Sequence, residues 1–294
     1  MVPRASVKFR MIAFAAGFMM SSVEKVGPIK SRTELLKSST GPAILTGKRP
    51  PLATVTDGKV AGISVRRYLP KGAKPGRIAF FHGGGWMLGS VESHDYLAAT
   101  IAAESGHEVV SVDYRLAPEY PFPAGLDDCI AVTRALSADG PIAVAGDSAG
   151  GNLAAVVANL VPVLAQFLMY PVTDSVDELP SHEDYATGHI LTRDTMRHFR
   201  AAYAPDPATR ATALVSPLRN PDLGHSAPAF ISVAQCDVLR DDGVAYANGL
   251  RDAGVEVTFN EVPAALHGFA SLLGLSEARE TVRTGSQWLA SKLA

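Results

Sequence analysis

The turn at residues 146–150, Gly-Asp-Ser-Ala-Gly, constrains this chain more than any other feature, because it directly follows the apolar run at residues 142–145. A buried strand that stops at Gly-x-Ser-x-Gly and runs into a helix predicts a sharp turn with Ser148 raised above the sheet. Glycine is needed on both sides of the serine because a side chain there would collide with the neighbouring strand or helix. A helix over about residues 149–159 then directs its N-terminus, which favours negative charge, towards the Ser148 hydroxyl.

Taken alone, this turn fits an ordinary strand-to-helix connection as well as it fits the site of a nucleophilic serine, since glycine and serine are common in loops. A second glycine element favours the nucleophile. Residues 82–86, His-Gly-Gly-Gly-Trp, follow another apolar run, at residues 78–81. Consecutive glycines let backbone N–H groups approach a substrate and bind the oxyanion that develops in acyl transfer. We expect the N–H groups of Gly83, Gly84 and Ala149 to be the donors of this oxyanion hole.

Neither glycine element has the pattern of a nucleotide-binding loop. The Gly-Gly-Gly element lacks the Gly-x-Gly-x-x-Gly order and the acidic ribose partner of dinucleotide-binding folds. Residues 41–49 resemble a Walker loop only superficially. Five residues separate Gly41 from Gly47 instead of four, and Arg49 stands where Ser or Thr would bind magnesium. We therefore exclude nucleotide binding.

A serine hydroxyl needs a base to take its proton, and His267 is the best candidate for that base. In chains that carry Gly-x-Ser-x-Gly at such a turn, the order is serine, acid, histidine, so the base lies downstream of Ser148. His267 follows a predicted strand at residues 255–262, and open α/β sheets carry their sites at the carboxyl ends of strands. The histidines of the polar segment before it are expected to be solvated surface residues: His182, His189 and His198.

The residue that orients this histidine is expected to be an aspartate at another strand end. Residues 230–234, Phe-Ile-Ser-Val-Ala, predict a strand, and Asp237 follows it. There it would hold the imidazole tautomer and stabilise the imidazolium that forms. Asp241 and Asp242 are the alternatives. They precede a glycine and a helical pattern, which is typical of acids in the first turn of a helix, so we favour Asp237.

Together these elements resemble the bacterial hormone-sensitive-lipase family of esterases, within the α/β-hydrolases. The matching elements are residues 82–86, 113–119, 146–152, 170–171, 216–218, 237–241 and 267–269. They occur in the order of the family and cover about residues 60–294. The resemblance implies hydrolysis of short- to medium-chain carboxylic esters by a triad of Ser148, Asp237 and His267, with a helical cap over the site and no metal or other cofactor. In the family, residues 113–119 correspond to a structural turn.

Two other functions stay open beside ester hydrolysis. An amidase, a lactonase or an aryl-formamidase would use the same triad, because the triad does not choose the leaving group. A ligand-binding protein on a hydrolase scaffold, as in the plant gibberellin receptors that resemble this family, is the alternative from another class. Those receptors have lost the catalytic histidine, whereas His267 is present here, so we favour an enzyme.

Strands alternate with helical patterns along the chain, which favours a mostly parallel sheet flanked by helices. With the resemblance, this predicts an α/β-hydrolase fold with a helical cap. We expect residues 1–45 to form the N-terminal part of the cap and residues 46–294 the catalytic domain, with a second cap part inserted at about 174–225. Within the domain, residues 60–68 are expected to form one strand and residues 277–293 the last helix. In the second cap part, a helix is expected to start near Thr192 and to run to about Tyr203.

The apolar segment at residues 11–20 has two interpretations. It could be the core of a signal peptide, since basic residues precede it, but no convincing cleavage site follows. We favour a cap helix that lays Phe14 and Phe18 over the substrate pocket, beside Trp86. This predicts a cytoplasmic protein, or a secreted one if residues 1–22 act as a signal peptide.

Composition excludes several partners. The 27 basic and 29 acidic residues give a net charge of −2. The sequence has no cluster of basic residues of the kind that binds nucleic acid. Residues 148–173 carry no charge, yet proline and amides interrupt them, so a buried helix and strand explain them better than a membrane span. The expected partner is a small-molecule ester. Residues 256–260 have the character of an edge strand that could pair with a second copy in a homodimer.

Overall fold

One eight-stranded sheet forms the centre of the protein in the computed structural model, which describes residues 2–19, 23–39 and 41–294 without the side chains of residues 15–19 and 24. The strands are β1 (Thr54–Val60), β2 (Ile63–Leu69), β3 (Lys74–Phe81), β4 (His107–Val112), β5 (Ile142–Asp147), β6 (Gln166–Met169), β7 (Ala229–Cys236) and β8 (Val257–Leu266). Their order is β1-β2-β4-β3-β5-β6-β7-β8. β2 is antiparallel to both neighbours, and all pairs from β4 to β8 are parallel. The predicted mostly parallel sheet is confirmed.

Helices cover both faces of this sheet. The α-helices of the described chain are α1 (Val7–Met19), α2 (Val23–Val26), α3 (Pro28–Ser39), α4 (Ala43–Thr46), α5 (Asp95–Ser105), α6 (Ala124–Ser137), α7 (Ala149–Leu160), α8 (Pro180–Asp184), α9 (Arg193–Tyr203), α10 (Pro207–Arg210), α11 (Arg240–Asp252) and α12 (Ser276–Leu293). Apolar residues of α6, α7 and α11 form one core, and those of α5 and α12 form the other. Along β3, Ala79 and Phe81 join the first core while Ile78 and Phe80 join the second, as the two-residue period of a strand requires.

The uncharged stretch at residues 148–173 folds as expected from its composition. It contains α7, whose residues 149–158 are all buried, and then β6, which is buried along its whole length. A parallel strand covered on both faces is apolar throughout, which explains the missing charges. Among the described residues, no helix has the length and apolar character needed to cross a membrane.

The prediction of one strand over residues 60–68 was wrong, because a hairpin divides this segment. Ala61 and Gly62 both have positive φ, at 51° and 83°, and they join β1 to β2 through a two-residue loop. Positive φ at both loop residues matches the right-handed twist of the strands. The usual Asn-Gly or Asp-Gly signal is missing, and alanine rarely adopts this conformation, so the sequence concealed the turn.

The two segments predicted as cap are largely helical. Residues 1–45 contain α1 to α3 and most of α4, and residues 174–225 contain α8 to α10 with two short 3-10 turns. Helix α9 begins after Thr192, whose hydroxyl accepts a hydrogen bond from the N–H of Thr195, as expected for an N-cap. Its apolar face packs into the same core as the glycine loop at residues 82–86. The assignment of both segments to a cap remains a prediction.

Candidate active site

Ser148 lies in the turn between β5 and α7, at the carboxyl edge of the parallel strands. Its φ of 56° and ψ of −119° hold it in a strained conformation, and its N–H donates to the carbonyl of Met169 at 2.8 Å. A Cβ on Gly146 would lie 2.2 Å from the carbonyl oxygen of Gly150, and one on Gly150 would lie 1.9 Å from that of Phe81. Both glycines are therefore required by close backbone packing, which is the reason the sequence pattern contains them.

The three residues predicted to form the triad come together at this edge. Asp237 follows β7 and His267 follows β8, so their positions result from the parallel order of the strands. His267 Nε2 lies 2.9 Å from Ser148 Oγ, and His267 Nδ1 lies 2.7 Å from Asp237 Oδ2. Asp237 is 1% exposed, and its other oxygen accepts the N–H of Leu239 at 2.9 Å. With Nδ1 protonated against the carboxylate, Nε2 is free to accept the serine proton.

The alternative acids bind other groups. Asp241 and Asp242 lie in the first turn of α11, as predicted. Asp241 accepts the N–H of Ser181 at 2.9 Å, and Asp242 lies 2.8 Å from Nε2 of His182. The expectation that His182 is a solvated surface residue was wrong, since it is 1% exposed and paired with that carboxylate. Sequence reasoning missed this contact because the residues around His182 are polar, and nothing in their pattern indicates that His182 packs against Asp242 of α11.

The glycine loop offers backbone donors, but not all of those predicted. The N–H of Gly83 donates to Oδ1 of Asp147 at 2.9 Å, so it is not free to bind an oxyanion, and this assignment is corrected. The N–H groups of Gly84, Gly85 and Ala149 make no hydrogen bond within the described part of the chain. The direction of each N–H depends on loop dihedral angles, which a run of three glycines does not reveal, so the sequence could not show that the Gly83 N–H is engaged.

A buried polar cluster of His82, His94, Tyr114 and Asp147 packs against the glycine loop. Burial alone would raise the pKa of Asp147, but the imidazole of His94, 3.5 Å from its Oδ1, and the N–H of Gly83 hold that pKa below its usual value. Burial, with repulsion from His94, lowers the pKa of His82 to about 3, so the His82 ring is neutral. Tyr114 stacks on His82 at 4.3 Å and donates its hydroxyl to the His82 carbonyl at 2.7 Å. The sequence signalled His82 and Asp147 only by their places in the two glycine motifs.

Tyr170 is a further neighbour of the imidazole that sequence reasoning did not assign to the site. It follows β6 with φ of 39°, and its ring centroid lies 4.8 Å from that of His267. Phe269 packs edge-on against the Tyr170 ring, with the two ring centroids 5.5 Å apart. These aromatic rings support the His267 side chain beside its two hydrogen bonds.

The residues predicted to line a substrate pocket occupy different environments. Trp86 is 1% exposed and stacks on Tyr203 with ring centroids 4.5 Å apart. Phe14 of α1 is 71% exposed, so its side chain faces solvent. The side chain of Phe18 lies outside the described residues. A pocket role for these residues stays a prediction.

Within the described chain, no group of three or more His, Cys, Asp or Glu side chains is arranged to hold a metal ion.

The sequence is similar to known families and proteins over most of its length. A family model described as alpha/beta hydrolase fold matches residues 78–271. Carboxylesterase NlhH of Mycobacterium tuberculosis is 40% identical over 260 residues, which is 82% of each chain. Ethyl acetate hydrolase of Pseudomonas putida is 37% identical over 243 residues, or 76% of each chain.

Solved structures are similar over nearly the whole chain. The ester hydrolase EH1AB1 from the metagenome of Lake Arreo, solved with a bipyridine phosphonate derivative, is 33% identical with a TM-score of 0.89 over 98% of both chains. A thermostable esterase from Pseudomonas putida ECU1011 is 30% identical with a TM-score of 0.90, covering 100% of this chain and 99% of that one. The likeness therefore includes both segments predicted as cap.

Proposed function

This chain belongs to the alpha/beta-hydrolase fold family, within its hormone-sensitive-lipase group of esterases, and from this premise we propose that Ser148, His267 and Asp237 carry out its reaction. The protein is a carboxylic ester hydrolase. We propose that it acts on short- to medium-chain acyl esters and that the reaction passes through an acyl-enzyme. The observation that carries the triad assignment is the continuous hydrogen-bonded series from Asp237 Oδ2 through the His267 ring to Ser148 Oγ, at 2.7 and 2.9 Å.

The first step forms the acyl-enzyme. His267 Nε2 takes the proton of Ser148 as Oγ attacks the ester carbonyl carbon, and Asp237 stabilises the imidazolium that results. The carbonyl oxygen becomes an oxyanion, for which we propose the N–H groups of Gly84, Gly85 and Ala149 as donors, because these are unengaged. The positive end of the α7 dipole also stabilises the negative charge of this oxyanion. When the carbon–oxygen bond breaks, His267 protonates the leaving alcohol.

The second step releases the acid. A water molecule gives its proton to His267 Nε2 and attacks the acyl carbon, and the same donors bind the second oxyanion. Collapse of this intermediate returns the proton from His267 to Ser148 Oγ and frees the carboxylic acid. Each proton leaves and re-enters through one imidazole nitrogen, so the cycle needs no other acid or base.

Hydrolysis of p-nitrophenyl esters from acetate to palmitate, by the wild type and Ser148→Ala in parallel, tests this assignment. We expect activity on the short esters and its loss in folded Ser148→Ala, with Ser175→Ala as a matched control that keeps it. Activity retained in pure Ser148→Ala would contradict the nucleophile assignment. Higher kcat/KM on matched amides than on esters would instead favour an amidase.

The compartment and the assembly are also part of the proposal. We place the protein in the cytoplasm, because α1 is integrated into the fold: Phe9 is fully buried, and Ser6 donates its N–H to Ala264 at 3.2 Å. An N-terminus beginning beyond residue 22 in protein from the native host would contradict this.

β8 lies at the edge of the sheet, where we propose that it pairs with a second copy. A monomer mass in light scattering would contradict the dimer.

A further inference from the structure

The glycine loop is held in an unusual backbone conformation. Gly84, Gly85 and Trp86 have positive φ in succession, at 124°, 61° and 57°. A bulky residue such as tryptophan is rarely found there and persists only where its surroundings enforce it. The N–H groups of Met87 and Leu88 donate to the carbonyl of Gly84 at 3.2 and 2.8 Å, which closes the turn. In this conformation the Gly84 and Gly85 N–H groups make no hydrogen bond. If the loop lost this conformation, the two N–H groups would no longer be available to bind an oxyanion.

Two aromatic side chains of α9 lie on this strained loop. A Cβ on Gly85 would be only 2.2 Å from Cδ2 of Phe199, so the Phe199 ring packs directly on the Gly85 backbone. The ring of Tyr203 stacks on that of Trp86 at a centroid distance of 4.5 Å and an interplanar angle of 4°. Residues four apart in a helix share one face, so a single helix applies both contacts. Phe199 is 6% and Tyr203 2% exposed, which leaves the rings little freedom to move.

Helix α9 is itself fixed to the rest of its segment by polar contacts. Arg200 is buried and donates to the carbonyl of Asp174 at 2.9 Å. Arg197 makes two hydrogen bonds with the carboxylate of Glu178, at 2.7 and 2.6 Å. These contacts hold the helix independently of the glycine loop. The aromatic pair therefore acts on the loop from a helix that has polar contacts of its own, of which the buried Arg200 bond is the better shielded.

We propose that Phe199 and Tyr203 are positioning residues for the oxyanion donors: they hold Gly85 and Trp86 in the conformation that keeps the two glycine N–H groups available. This inference rests on the proposed function, because it assumes that the glycine loop binds the oxyanion. It assigns to α9 a part in transition-state stabilisation, in addition to its predicted place in the cap. Loss of this support should impair the transition state more than substrate binding, because the oxyanion forms only during the reaction.

The test compares Phe199→Leu with Phe230→Leu. Phe230 is 1% exposed on β7 and contacts Phe167 and Trp288, away from the loop, so the same substitution there measures the general effect of a smaller buried side chain. We expect Phe199→Leu to lower kcat for p-nitrophenyl acetate by about 10- to 100-fold with little change in KM, below the loss from removing a whole donor. The affinity for a small alkylboronic acid, which forms a tetrahedral adduct with Ser148, should fall by a similar factor. Phe230→Leu should change neither quantity more than about twofold.

Tyr203 allows a second pair of variants, one of which is conservative. Tyr203→Phe retains the stacked ring and should retain kcat, whereas Tyr203→Leu should lower it together with boronic acid affinity. If Phe199→Leu and Tyr203→Leu fold and keep wild-type kcat and boronic acid affinity, the inference is overturned while the esterase assignment stands.

Hydrogen–deuterium exchange gives a measurement that does not need turnover. We expect the amides of Met87 and Leu88 to exchange faster in Phe199→Leu than in the wild type and in Phe230→Leu. Unchanged exchange at these amides would overturn the inference even if activity fell. Failure of the wild type to hydrolyse any ester would reject the proposed function separately, and the exchange result would still decide whether α9 holds the loop.

Discussion

Asp147 shows how much of this site depends on single buried residues. Its carboxylate accepts the N–H of Gly83 and faces His94, which keeps its pKa below the usual value despite burial. A carboxyl with a lowered folded-state pKa stabilises the fold fully above the pKa of the unfolded chain, about 4. That contribution disappears as the pH falls through the folded-state pKa. Asp147 therefore stabilises the glycine loop throughout the neutral range.

The variant Asp147→Asn tests this contribution. The amide oxygen can still accept from Gly83, but the charge facing His94 is lost, so we expect unfolding free energy to fall by about 1–3 kcal/mol at pH 7. The difference from the wild type should shrink as the pH falls below about 4, where the Asp147 carboxylate of the wild type becomes protonated. Urea unfolding at each pH measures this difference. The control is Asp57→Asn, which removes the charge of an exposed carboxylate that accepts a hydrogen bond from Arg66. A deficit that grows as the pH falls below about 4 would contradict the assigned direction of the Asp147 pKa.

At the residue scale, the sequence located side chains better than backbone donors. Ser148, Asp237 and His267 could be placed because each follows a predicted strand, and strand ends of a parallel sheet converge at one edge. The choice between Gly83 and Gly85 depends on dihedral angles, and the burial of Tyr170 depends on distant packing. Neither quantity leaves a local pattern in the chain.

At the scale of elements, a buried histidine–aspartate contact joins α8 to α11. His182 and Asp242 are each 1% exposed and lie 2.8 Å apart. Asp242 also accepts the N–H of Thr173 at 3.2 Å, so it joins three parts of the chain. Because α11 begins at Arg240, three residues after Asp237, this pair also fixes the loop that carries the proposed triad aspartate.

Removal of either partner should destabilise the protein, since the other charge or polar group stays buried without compensation. We expect Asp242→Ala to cost about 3–5 kcal/mol and His182→Ala less, because Asp242 also bonds to backbone N–H groups. Urea unfolding of both single variants and the double variant gives the coupling between them. Strictly additive losses would show that the two side chains do not interact, and would refute the pair.

Elements were predictable where capping and periodicity agreed. Helix α9 could be located because Thr192 provides the N-cap, and α12 follows its predicted span closely. The hairpin between β1 and β2 could not, because it depends on positive φ at Ala61, which the residue type disfavours. Local signals therefore succeed where residue preference and conformation agree, and fail where tertiary packing overrides preference.

At the scale of the whole molecule, the site exists because distant parts of one chain meet at a single sheet edge. The glycine loop, the serine turn, Asp237 and His267 come after β3, β5, β7 and β8 respectively. The N-terminal helix α1 belongs to the same body. Phe9 is fully buried in the core that contains α5 and α12, and Lys8 forms an ion pair with Glu277 of α12.

Two phenylalanines of α1 allow a matched test of whether this helix is an integral part of the fold. Phe9→Ala removes a fully buried ring and should lower the unfolding free energy by about 3–5 kcal/mol. Phe14→Ala, at a position that is 71% exposed, should change it by less than about 0.5 kcal/mol. Urea unfolding of both variants measures the contrast. Equal, negligible effects would mean that α1 adds nothing to the folded body, as expected of a removable leader, and would reject the cap assignment. A large difference would establish α1 as part of the stable protein, because only a packed helix distinguishes its two faces.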